Sequence, residues 1–227
     1  MRQTSAPRLA STLTNPFHFT KLLLIKLLIL LGLMLPSTAH AHLVNTGLGP
    51  VYDGISHLFI TPEDLLTTIT LALYCGLMGA KTGRLGMFVF PIAWAIGGFI
   101  GLQVTIDTTW PIAAFSFVFL GLILAADLLL PKGILIFVMA LIGVCHGAIN
   151  GEALQNETIQ SGFMHTGSGL LGLIGTVITL FILMTLFSAL VVTLKAAWSK
   201  IAVRVFGSWV CASGILMFGW YLKGLGL

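Results

Sequence analysis

Apolar residues run along this chain in long, nearly unbroken stretches separated by short polar connections. None of these stretches alternates polar and apolar positions as a membrane barrel strand does. Runs of about 20 apolar residues have the length that carries a helix across a bilayer. The pattern predicts helices over residues 62–79, 85–103, 111–130, 133–149, 167–194 and 205–222. Only residues 42–61 and 150–166 are long enough to fold over a membrane face, so there is no room for a separate domain. The expected fold is therefore all-α: a polytopic bundle of about six transmembrane helices, with every backbone N–H and C=O paired inside its own helix.

The first stretch has a different character. Arg2, Arg8, Lys21 and Lys26 precede an apolar run over 27–35, Pro36 breaks it, and Ala39-His40-Ala41 supplies small residues at alternate positions. This order is that of a secretory signal peptide, so residues 1–41 are expected to be removed after Ala41. Residues 42–227 then form a single domain with His42 at its amino terminus. An uncleaved anchor helix over 22–44 is the alternative, and it raises the span count to seven.

Composition excludes other classes. With 57% hydrophobic and 8% charged residues and a mean hydropathy of +1.05, the chain has the bilayer as its partner and solvent. Four of its eleven basic residues lie in the leader, and the remaining seven balance seven acidic ones. That leaves no basic footprint for nucleic acid. Cys75, Cys145 and Cys211 are odd in number and sit in or beside apolar runs, so no disulfide framework is expected.

Charge also gives an orientation. Lys81, Arg84, Lys132, Lys195, Lys200 and Arg204 follow the first, third and fifth predicted helices, which makes those loops cytoplasmic. Asp53, Glu63, Asp64, Asp107, Glu152 and Glu157 collect on the opposite side. An even number of spans puts the mature amino terminus and the carboxy terminus outside a bacterial-type cytoplasmic membrane. Gly97 and Gly101, and Gly143, Gly147 and Gly151, recur at four-residue spacing and predict close helix packing, as do Gly167, Gly169, Gly172 and Gly175.

The ionisable residues near the membrane interior are the candidates for function. Asp53 and His57 share a face if residues 53–57 are helical, and Pro62, Glu63 and Asp64 suit the first turn of a helix. His146 and Asn150 are neighbours four residues apart, with Glu152 just beyond, whereas Cys145 points about 100° away from His146. His165 precedes the glycine-rich run. Imidazole with carboxylate suits a divalent transition metal, nickel, cobalt, zinc or copper, rather than magnesium or calcium. The expected ligands are His57, Asp64 and His146, held in one site at the outer ends of the first and fourth predicted helices. Asp53, Glu63, Asn150, Glu152, His165 and His42 are supporting or alternative ligands. Each of these histidines has a bland reading as an amphipathic ring at the lipid interface. No nucleophile elbow, phosphate loop or zinc-protease helix is present, and the chain is not expected to be an enzyme.

These residues resemble the HupE/UreJ family of membrane proteins, associated with hydrogenase and urease maturation and regarded as nickel or cobalt permeases. The likeness lies in the leader, the histidine before the first helix, the basic turn Gly79-Ala80-Lys81-Thr82-Gly83-Arg84, and His146-Gly147 followed by Glu152. The family pattern has a second histidine where Asp64 stands and another where Asn150 stands, so this chain carries an oxygen-richer set. The resemblance implies a permease that takes its metal at the outer face. It also leaves open a non-transporting accessory protein that holds or delivers metal to a metalloenzyme maturation partner.

Overall fold

A computed structural model describes residues 48–106, 110–160 and 166–225. The chain divides into two compact units, Met1–His42 and Leu43–Leu227, and the architecture below belongs to the second. The expected leader, its cleavage site, His42, Asp107 and His165 lie outside the described residues, as does the side chain of Glu157. Among the described residues the fold is all-helical: α1 Pro50–Ile60, α2 Pro62–Leu77, α3 Ala80–Gly101, α4 Ile112–Ala125, α5 Lys132–Gln160, α6 Thr166–Thr193 and α7 Ala197–Gly224.

Local sequence explains the element ends. Pro50 and Pro62 each occupy the first turn of a helix, where a missing N–H costs nothing. Proline also disfavours helical geometry in the residue before it. Thr61 is accordingly extended, at φ −96° and ψ 92°, and α1 and α2 meet there at 78°. The Thr61 hydroxyl donates to the His57 carbonyl at 2.8 Å, closing the last turn of α1. Asp127 ends α4 in the left-handed region, φ 53°. The amides of Asp127 and Leu128 turn back to the carbonyls of Leu124 and Ile123, a Schellman ending that stops the helix short of residue 130.

Cross-contacts fix each helix direction. Asp64 meets His146 and Cys75 meets Met139, so α2 and α5 are antiparallel. Near their starts α2 and α4 both reach His146, and near their ends Tyr74 bonds Leu128, so these two are parallel. A side chain at Gly147 would strike Trp94 and one at Gly151 would strike Gly98, which makes α3 and α5 parallel. Met87 meets Thr185 and Gly98 meets Leu173, so α6 runs against α3. Phe117 meets Gly214 and Leu124 meets Gly207, so α7 runs against α4. The six helices α2 to α7 therefore alternate up and down. Their connections bring Lys81, Arg84, Lys132, Lys195, Lys200 and Arg204 to one end.

Four helices, α3, α5, α6 and α7, are long and apolar enough to cross a membrane, and the bent pair α1–α2 makes a fifth span if taken together. At 14 residues α4 is about 21 Å long, short of a hydrocarbon core of about 30 Å. On α7, Trp198 and Trp220 are both exposed and lie about 33 Å apart along the axis, the spacing of two interfacial aromatic belts.

The expected glycine packing is present and mutual. A Cβ at Gly97 or Gly101 would collide with the backbone of Val144 or Ala148, and one at Gly147 or Gly151 with that of Trp94 or Gly98. Gly54 and Gly175 bring α1 against α6 in the same way: a Cβ at Gly54 would collide with the backbone of Gly172, and one at Gly175 with that of Val51. At the basic end, the buried Tyr74 hydroxyl donates to the Leu128 carbonyl at 2.7 Å and accepts from the Leu130 amide at 3.1 Å. Tyr74→Phe strands both loop groups and is expected to cost about 1–3 kcal/mol in detergent unfolding.

Candidate functional site

Asp64 is the third residue of α2, where its carboxylate faces the positive end of the helix dipole. It is buried, at 7% exposure. Burial of a carboxylate at this depth requires a partner, and Asp64 Oδ1 lies 2.8 Å from His146 Nδ1. The other ring nitrogen, Nε2, lies 2.9 Å from the Ser116 hydroxyl on α4. With Asp64 ionised and the imidazole neutral, Nδ1–H donates to the carboxylate and Nε2 accepts from the Ser116 hydroxyl. Three helices thus meet in one buried chain, Asp64–His146–Ser116. The Trp94 ring of α3 lies against the imidazole, centroids 5.8 Å apart and planes 31° apart.

The pair sits inside the bundle rather than at its mouth. His146 is 3% exposed and lies fourteen residues beyond Lys132, about 21 Å along α5 from the basic end. The expected end of this helix at residue 149 is corrected: α5 continues to Gln160. Gly151 seats against Gly98 and Leu154 is buried, so packing carries the helix through the segment expected to be a loop.

One turn beyond His146, Asn150 is 1% exposed, and neither its Oδ1 nor its Nδ2 has a hydrogen-bond partner. The Thr67 hydroxyl, one turn beyond Asp64, and Trp94 Nε1 are buried and unpaired as well. Buried polar groups are nearly always satisfied, and exceptions cluster where a water, ion or ligand binds.

The expected trio of His57, Asp64 and His146 does not gather: among the described residues no group of three or more His, Cys, Asp or Glu side chains is placed to hold a metal ion. The physical reason is the turn at Thr61. His57 occupies the last turn of α1, beyond a 78° bend from the helix that carries Asp64. Asp53 and His57 do fall one turn apart on α1, both half-buried, and Glu63 and Glu152 are half-buried on α2 and α5. Asp127 is exposed at the basic end, far along α4 from Ser116.

Sequence reasoning missed Ser116 and Trp94. Ser116 had a detectable signal: it is the one polar side chain in the run Ile-Ala-Ala-Phe-Ser-Phe-Val-Phe-Leu-Gly-Leu-Ile-Leu that starts at Ile112. A lone hydroxyl in such a run needs a partner.

These features define a helical membrane protein with a buried imidazole–carboxylate centre. The family model described as "HupE / UreJ protein" matches residues 28–217, and the chain belongs to that family. It is also similar to "Protein HupE" of Rhizobium leguminosarum bv. viciae, 25% identical over 136 residues, which cover 60% of this chain and 71% of that protein. No solved structure matches.

Proposed function

We propose that this protein is an accessory membrane protein of the hydrogenase or urease type that passes a divalent transition metal, nickel or cobalt, across the cytoplasmic membrane. The observation that carries the reading is the buried Asp64–His146 pair with the unpaired Asn150 amide one turn away. A carboxylate on Nδ1 is the arrangement that orients a metal-binding histidine and raises the basicity of Nε2. Asn150 Oδ1 then supplies an oxygen ligand from the same helix face. Such a set, poorer in imidazole than three histidines, binds nickel or cobalt less tightly, and a carrier must release its cargo.

The break at Thr61 supports transport over static storage. Interrupted helices place substrate sites within the membrane, near the ends of their half-helices, and Asp64 stands at the start of such a half-helix. With the basic end cytoplasmic, His57, Asp53 and Glu152 lie toward the outer side and form the approach to the pair.

Purified protein in liposomes loaded with an internal chelator tests this reading. Radioactive nickel is expected to accumulate with time and to be released by an ionophore. Saturable binding with no accumulation would instead identify a holding or delivery protein.

A further inference from the structure

The Asp64–His146–Ser116 chain contains a conflict that the metal-binding reading has to resolve. Both imidazole nitrogens are engaged, Nδ1 by Asp64 and Nε2 by Ser116. Nδ1 is committed to the carboxylate that orients the ring, so a cation can reach the imidazole only through Nε2. The lone pair it needs there is the one the Ser116 hydroxyl occupies. Binding must therefore be an exchange, with the hydroxyl going elsewhere.

A second station exists one helical turn back. A serine in a helix can donate to the carbonyl four residues earlier, which for Ser116 is that of Ile112. This protein uses the arrangement repeatedly: Thr68 donates to Asp64 at 2.7 Å, Thr179 to Gly175 at 2.9 Å, Thr185 to Phe181 at 2.7 Å and Ser213 to Trp209 at 2.9 Å. The turn is a single χ1 rotation between staggered wells. Space for it is present, because Ser116 and Ile112 line a cavity of about 440 Å³ between α4 and α5, together with Val138, Ile142 and Cys145. The cavity wall is almost wholly apolar, so a hydroxyl pointing into it loses its hydrogen bond. The imidazole and the Ile112 carbonyl each give it a partner.

Resting on the cation-binding reading above, we infer that Ser116 is a latch on His146. Its hydroxyl holds Nε2 while the site is empty, swings to the Ile112 carbonyl when a divalent cation coordinates, and returns as the cation leaves. The hydroxyl is thus a built-in competitor that weakens binding and hastens release. It also keeps the empty site's nitrogen satisfied in a dry interior.

The test uses full-length protein in nanodiscs, with nickel ion titrated against a coloured chelator and its release followed by stopped flow. Ser116→Ala removes the competitor and is expected to tighten nickel binding by about threefold, less than the roughly tenfold equivalent of a whole neutral hydrogen bond because the Ile112 carbonyl returns part of what the hydroxyl gives up, with correspondingly slower release. A merely structural role moves affinity the other way. Ser116→Gly removes the same hydroxyl without adding a ligand atom and is expected to shift in the same direction, so the test survives if the alanine variant does not fold. Cys145→Ala alters the same cavity wall without touching Nε2 and should leave affinity unchanged. If His146→Ala abolishes binding while both Ser116 variants bind as wild type or more weakly, the latch is overturned and the metal site stands. If His146→Ala binds nickel normally, the metal-site reading itself fails. Covalent labelling of Ser116 by a fluorophosphonate would also overturn the latch, by showing that the triad-like chain activates a nucleophile.

Discussion

Replacing His146 by alanine is expected to lower nickel affinity by at least about a hundredfold, because the residue supplies the only imidazole in the buried chain. Loss of an outer partner alone typically costs about 10–100-fold in metal affinity, and loss of the ligand itself costs more. Asp64→Asn should give the smaller, outer-partner effect, since the amide keeps the size but no longer enforces Nδ1 as the protonated nitrogen. Equilibrium dialysis against nickel separates the two variants. The His146→Ala protein should also be less stable by about 3–5 kcal/mol, because its 7%-exposed aspartate is left without a partner. In nickel affinity the Asp64→Asn/His146→Ala double variant should lose little more than His146→Ala alone, as expected for groups that act as a unit, while in stability it should recover part of the loss because the stranded charge is gone.

The second large effect lies in the helix pair that holds His146 in place. Gly147→Leu is expected to destabilise the protein by about 3 kcal/mol or more, the upper range for forcing atoms into a packed interior. A Cβ there would collide with the Trp94 carbonyl, a backbone atom that cannot move without shifting α3. The same displacement draws the Trp94 ring away from the imidazole, so metal affinity should fall along with stability. Gly133→Leu is the control: it sits on the same helix, a Cβ there meets nothing within 4 Å, and the replacement improves helix propensity. Thermal unfolding in one detergent, with nickel titration of whichever protein remains folded, checks both.

What the sequence disclosed follows from how local each signal was. The apolar runs and their separators located α3, α5, α6 and α7 because hydropathy over about 20 residues needs no knowledge of neighbours. The glycine spacing correctly marked α3 against α5. Element ends were less legible. Residues 150–160 have the polarity of a loop, yet Gly151 and Leu154 are packed and hold them in α5. Conversely, Leu128 to Leu130 are apolar, yet the left-handed Asp127 ends α4 before them.

The site divided in the same way. Asp64 and His146 were both singled out as candidates, since a charge and an imidazole are conspicuous in an apolar chain. Their direct pairing across 82 residues could not be read from spacing. His57 was grouped with them because charge topology put it at the same outer end; it falls on α1, across a 78° bend from the helix that carries Asp64. Ser116 was passed over because serine is common and inexpensive in membrane helices, and only the three-dimensional register shows that its hydroxyl falls on Nε2.

On the proposed function, one cation is held at His146 inside the bundle, with oxygen completing its shell. X-ray absorption spectroscopy of the nickel-loaded, full-length protein addresses this most directly. A single imidazole is expected at about 2.0–2.1 Å in an otherwise oxygen environment, lost in His146→Ala and retained in His57→Ala. A shell with two or more imidazoles, or with sulfur, or one unchanged in His146→Ala, would contradict it.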